Sequence, residues 1–204
     1  MISRIVTHNA PSSGLIKYWI ARLFMAIVGW NVSGELPANK KFVLIGAPHT
    51  SNWDFFLGLA TIFIFRLKAQ WLAKNAIFIW PVGILLRALG GIPVDRKNAH
   101  GVVGQMVDSL NKSGQQVILL APSGTRKKMP NWRSGFYQIA HQANVPIVCG
   151  YLDFKTKQAH LGLSLLPTGD VKKDMDRIRD FYKDVYAKYP EMATPVRLAE
   201  EGVD

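Results

Sequence analysis

A histidine and an aspartate five positions apart open the chemistry that this chain could perform: His49 is followed by Thr50-Ser51-Asn52-Trp53 and then Asp54. Residues 41–47, just before, form a short apolar run between breakers and read as a buried strand. Residues 53–66 read as a helix, with Ser51 or Asn52 as its N-cap and Asp54 in its first turn. His49 therefore ends a strand, Asp54 begins a helix, and the turn between them could bring the side chains within hydrogen-bond reach. A carboxylate on one imidazole nitrogen fixes the tautomer and stabilises the protonated ring, which leaves the other nitrogen to take a proton from a hydroxyl. Such a pair is a base without a nucleophile of its own, suited to activating an alcohol that a substrate supplies. The plainer reading is a polar turn in which Asp54 serves only the helix N-terminus.

Two arginines follow at comparable places. Arg96 comes after Gly90-Gly91-Ile92-Pro93-Val94-Asp95, and Arg126 after Ala121-Pro122-Ser123-Gly124-Thr125. In a parallel α/β sheet the carboxyl ends of the strands gather on one edge, where ligands bind, so His49, Arg96 and Arg126 are expected to converge. The planar fork of arginine suits phosphate, and Gly124 would let the backbone approach an anion closely. Against this stands the reading of two ordinary surface arginines in a basic chain. An apolar block, Val145-Pro146-Ile147-Val148, is expected to add a lipid-facing wall.

The elements that must position these residues alternate between strand and helix. Residues 33–37 read as a turn, 69–73 as a strand, and 77–89 as a very apolar helix that contains Pro81. Residues 92–94 read as a short strand that Pro93 confines to an edge or end of the sheet. A helix over 99–112 stops at Ser113-Gly114, and a strand follows over 116–121. A helix over 134–142 precedes strands over 145–154 and 159–166, paired around Lys155-Thr156-Lys157, and a charged helix over 171–188 closes the chain. This pattern predicts one α/β domain with a largely parallel sheet flanked by helices. Residues 1–32 are expected to form a membrane-interface segment and 33–204 the catalytic domain.

Bulk properties narrow the partners. The 204 residues suit a single domain with a full core, and 25 Lys and Arg against 14 Asp and Glu leave a net charge of +11. The chain is nonetheless 49% hydrophobic and only 19% charged, a balance that favours a membrane surface over nucleic acid. Its aromatics, such as Phe55, Phe56, Phe63, Phe65, Phe78 and Trp80, lie in apolar runs instead of interleaving with charge, so no nucleic-acid partner is expected. Residues 15–30 are apolar but for Lys17 and Arg22. Such a helix would be about 24 Å long, short of the roughly 30 Å hydrocarbon core. It reads as an interfacial helix with snorkelling cations or, equally, as a helix packed on the core. The lone cysteine, Cys149, lies in an apolar run as an inert thiol, and His8, His100, His141 and His160 are too isolated to predict a metal site.

Taken in order, the four blocks resemble the glycerophospholipid acyltransferase family, the group that includes lysophosphatidic acid acyltransferases, and more narrowly a small bacterial branch of it. The resemblance covers roughly residues 41–150: His49-x4-Asp54, Gly91 to Arg96, Ser123-Gly124-Thr125-Arg126, and Val145-Pro146-Ile147. It implies a glycerolipid acyltransferase-like fold, with His49 and Asp54 as the general-base pair. It further implies substrate contacts at Arg96, Ser123, Gly124, Thr125, Arg126 and Pro146. The third block departs from the family pattern, which usually has Glu where this chain has Ser123, and the departure bears on the acceptor. The implied reaction moves an acyl group from acyl-CoA or acyl-carrier protein to a hydroxyl of a lysophospholipid-like acceptor, without an acyl-enzyme, a metal or a resident cofactor. The implied setting is peripheral, on the cytoplasmic face of the inner membrane. Two rivals remain at this stage. One is an esterase or thioesterase with Ser123 as nucleophile, disfavoured because Ala121 to Thr125 is not a G-x-S-x-G elbow. The other is a lipid-binding protein without catalysis.

Overall fold

A computed structural model describes residues 8–94 and 99–202. Its centre is a seven-stranded sheet in the order β1-β7-β6-β2-β5-β3-β4. The strands are β1 (Asn31–Gly34), β2 (Lys41–Ala47), β3 (Ala69–Lys74), β4 (Gly91–Val94), β5 (Gln116–Leu120), β6 (Ile147–Asp153) and β7 (Gln158–Leu165). Every neighbouring pair runs parallel except the β6–β7 hairpin. The helices are α1 (Leu15–Val28), α2 (Trp53–Ile64), α3 (Val82–Ala88), α4 (Ala99–Lys112), α5 (Gly135–Gln142) and α6 (Val171–Tyr182). The expected α/β architecture is the observed one.

Strand β2 lies at the middle of the sheet because it is apolar on both faces: Phe42, Val43, Leu44 and Ile45 are all buried. On one face Val43, Ile45, Ile118, Ile147 and Cys149 pack with Leu110 of α4, Phe136 and Ile139 of α5, and Met175 and Ile178 of α6. On the other, Phe42, Leu44, Val117 and Val148 meet Ile62 of α2 together with Phe65 and Leu67. A third cluster joins α1 to α2 through Tyr18, Ala21, Met25, Leu57, Ala60 and Ile64. Burial pushes the Cys149 thiol up to about 12, partly offset by a hydrogen bond with Tyr182. The thiol is protonated at neutral pH and buried, as a core residue should be.

The structure corrects the sequence reading at β1, in the apolar helix over 77–89, and in the last helix, where α6 ends at Tyr182 and not at 188. The turn expected over 33–37 begins as β1, an edge strand paired parallel to β7 through Val32–Ala159 and Ser33–His160. Asn31-Val32-Ser33-Gly34 is too polar to announce a strand, and its pairing partner lies far along the chain. β1 also straddles the domain boundary expected at residue 32. The helix expected over 77–89 is divided: a short 3-10 turn over Asn75–Ile77 is followed by a cis Trp80–Pro81 bond, and α3 starts only at Val82. Proline has no N–H to continue a helical ladder and is accommodated at its start.

Candidate active site

The parallel register brings the ends of β2 and β5 side by side, with Ile45 opposite Leu120. His49 follows the first strand and the loop from Ala121 to Arg126 follows the second, so the two reach the same sheet edge. Asp54, in the first turn of α2, organises the turn that carries His49. Its Oδ2 accepts hydrogen bonds from the Thr50 N–H (2.7 Å) and the Ser51 N–H (2.8 Å), and its Oδ1 from the Ser51 hydroxyl (2.9 Å). His49 Nδ1 lies 3.2 Å from the same Oδ2. Burial pushes the Asp54 carboxyl up, but the hydrogen bonds from His49, Ser51 and Thr50 outweigh it and hold the group below its ordinary value of 3.8. Asp54 thus does both things that the sequence left open: it closes the turn and it orients the imidazole.

The histidine side chain is 21% exposed and faces a cleft of about 1310 Å³. One wall is apolar, built from Phe55, Leu59, Ile62, Trp71, Ile77 and Leu86. Gly124, Thr125 and Arg126 line the cleft as expected. Gly124 adopts a left-handed backbone (φ 65), a conformation that costs glycine little. Two cations outside the expected set also line it: Lys74, which closes β3 at the same edge, and Arg133, just before α5. The Arg133 side chain lies across Gly124, with its Cδ and Nε 3.1 Å from where a β-carbon there would stand. The Arg133 backbone N–H donates to the Pro122 carbonyl at 2.9 Å, which ties the end of the basic loop back to its beginning. Among the described residues, Lys74, Arg126 and Arg133 form no ion pair. A hint of Lys74 was available at the carboxyl end of a predicted strand, but nothing local tells Arg133 from its basic neighbours.

Other expected contacts fall elsewhere. Arg96 lies outside the described residues. Ser123 is buried and does not line the cleft; its hydroxyl donates to the Thr125 carbonyl at 2.8 Å. The side chain therefore shapes the loop, and it is not aimed at His49 as a nucleophile would be. Pro146 is buried and immediately precedes β6, and its carbonyl accepts from the Val43 N–H at 2.9 Å. Because β6 runs parallel to β2, this places Pro146 toward the amino edge of the sheet, away from the cleft.

A 1-acyl-sn-glycerol-3-phosphate acyltransferase of Streptococcus pneumoniae is 28% identical over 144 residues, which cover 64% of this chain and 52% of that protein. The chain thus spans about half the length of this curated relative. The fold matches the crystal structure of the 1-acyl-sn-glycerophosphate acyltransferase PlsC of Thermotoga maritima with a TM-score of 0.56 at 16% identity, covering 85% of this chain and 81% of that one. The profile of the acyltransferase family matches residues 30–152, a span that holds the His49–Asp54 turn, the apolar wall and the Gly124–Arg126 loop. On that match the chain belongs to the acyltransferase family.

Proposed function

We propose that this protein transfers an acyl group from a thioester, acyl-CoA or acyl-carrier protein, to a hydroxyl of a lysophospholipid-like acceptor of the 1-acylglycerol-3-phosphate type. The observation that carries this reading is one cleft that joins an oriented imidazole to an apolar wall and to the cations Lys74, Arg126 and Arg133. In the reaction, His49 Nε2 takes the acceptor's hydroxyl proton while the oxygen attacks the thioester carbonyl. The tetrahedral intermediate collapses, the carbon–sulfur bond breaks, and the thiolate leaves with the proton returned by His49. Asp54 keeps Nδ1 protonated throughout and offsets the charge of the transient imidazolium. Arg126 and Arg133, with Lys74, hold an acidic headgroup so that the hydroxyl reaches the base, and such positioning lowers the barrier by several kcal/mol. No residue of the chain is acylated, and neither a metal nor a resident cofactor takes part.

The setting we infer is a bilayer surface, on the cytoplasmic face of the inner membrane, with α1 as the interface segment and the sheet from β1 onward as the catalytic domain. Supporting this, α1 exposes Leu15, Ile16, Trp19, Ile20, Leu23 and Ile27, and the α3 region exposes Trp80, Ile84 and Leu85. No helix among the described residues is long and apolar enough to cross a membrane. An exposed apolar face on a helix too short to span fits a helix lying in the interface. The test is acyl transfer from labelled acyl-CoA and acyl-carrier protein to a panel of lysophospholipids, with His49→Ala alongside. Esterified product from wild type alone supports the reading. Release of free fatty acid with every acceptor, abolished by Ser123→Ala, would replace it with the hydrolase.

A further inference from the structure

At the carboxyl end of α1 the chain meets the turn between β6 and β7. Trp30 packs edge-on against Phe154, with ring centroids 4.9 Å apart. Lys157 brings its ammonium to 3.7 Å from where a β-carbon on Gly29 would stand. In the same turn, Lys155 Nζ lies 4.3 Å from the ring centre of Tyr186. Lys188 Nζ sits among three rings, 5.4 Å from Trp53, 5.9 Å from Phe154 and 5.9 Å from Tyr189. Trp53, Tyr186 and Tyr189 are each 42–48% exposed, so the patch faces outward. The acid in this turn, Asp153, is buried and taken up by the Lys155 N–H and the Thr156 hydroxyl. The Tyr189 N–H donates to Thr50 Oγ1 at 3.3 Å, which ties the patch to the turn that holds His49.

Tyrosine and tryptophan settle at headgroup depth because one end is apolar and the other polar, and lysine reaches the same depth on its long stem. Ring faces hold an ammonium without neutralising it, so it can still meet a phosphate. We propose that Lys155, Lys157 and Lys188, set among Trp53, Tyr186 and Tyr189, form a docking site for anionic phospholipid headgroups. The patch fixes how α1 lies in the bilayer and presents the cleft of His49 to it. This inference rests on the membrane-surface reading above. An acidic carrier protein would also be drawn to lysines. The bilayer is favoured because the patch adjoins the exposed aliphatic face of α1, where Ile27 is 76% exposed beside Gly29.

The experiment measures binding of the full chain to vesicles of phosphatidylcholine alone and of phosphatidylcholine mixed with phosphatidylglycerol. Wild type is expected to prefer the anionic vesicles, and high salt to erase that preference. Lys155→Gln with Lys188→Gln should lower affinity for anionic vesicles roughly thirtyfold and leave neutral vesicles near wild type, whereas the paired arginine variant keeps the preference. A salt-insensitive preference, which needs no variant to observe, overturns the proposal. So does an unchanged preference in the glutamine pair, or a glutamine pair that loses only its binding to acylated carrier protein. Turnover of a short-chain, monomeric acceptor is read in parallel. Its absence in wild type would sink the proposed reaction and leave the docking result standing, and a failed docking result would leave turnover untouched.

Discussion

Around Asp54, donors from Thr50, Ser51 and His49 converge on one buried carboxylate, while along the outward face of α1 Leu15, Ile16, Trp19, Ile20, Leu23 and Ile27 lie exposed. The first region is held by directional bonds that admit little movement. The second is held from behind only, by Tyr18, Ala21 and Met25 packed on α2. Helix α6 shows what a helix facing water looks like in the same molecule. It buries Met175, Ile178 and Tyr182 and turns Lys172, Asp176 and Arg179 outward. Helix α1 exposes Leu15, Ile16, Trp19, Ile20, Leu23 and Ile27 and buries only Tyr18, Ala21 and Met25. The contrast separates two tasks, rigid placement of a base and adhesion to an apolar medium, and mutations should separate them as well.

The largest effect is expected at the rigid end. His49→Ala should lower acyl transfer by about 10²–10⁴-fold with vesicle binding intact, as measured by initial rates beside co-sedimentation. Leu23→Asp with Ile27→Asp should do the reverse, weakening vesicle binding roughly hundredfold while sparing turnover of a monomeric acceptor. Equal loss of both activities in either variant would break the distinction. Arg133→Ala should raise KM for an acidic acceptor about tenfold with kcat little changed, and an acceptor without a phosphate should not register the change.

Asp54→Asn sharpens the comparison through pH. The folded-state carboxyl lies below its ordinary value of 3.8, so its stabilising contribution is present above that pH and is lost as pH falls through the lower folded value. Denaturant midpoints of wild type should therefore drop more steeply than those of Asp54→Asn below about pH 4. The smallest effect belongs to Ser123→Ala. It removes one hydrogen bond within a loop and should cost about 1 kcal/mol of stability, with acyl transfer within roughly threefold of wild type.

The legible parts of the fold share a physical cause. Residues 41–47 announce a central strand because burial on both faces demands an unbroken apolar run. His49 and Asp54 could be paired from sequence because a single turn connects them, so local geometry alone bounds their distance. β1 escaped notice because edge strands need little hydrophobicity and its partner, β7, is more than a hundred residues away. Pro146 sits in an apolar run that resembles a wall from sequence, yet strand direction carries it to the far edge of the sheet. The rings and lysines at 53, 155, 186 and 188 come from three separate segments, and no local window could join them all.

By itself, then, the order of residues determined what depends on near neighbours: the alternation of strands and helices, the His49–Asp54 turn, the net basic charge, and an apolar segment too short to span a bilayer. The tertiary structure decided what depends on distant neighbours. It brought Lys74, Arg126 and Arg133 to one cleft, turned the Ser123 hydroxyl into its own loop, and left six large apolar side chains of α1 outward. Side-chain chemistry is encoded residue by residue, whereas the direction and company of each side chain are set by strand register and packing between segments remote in the chain.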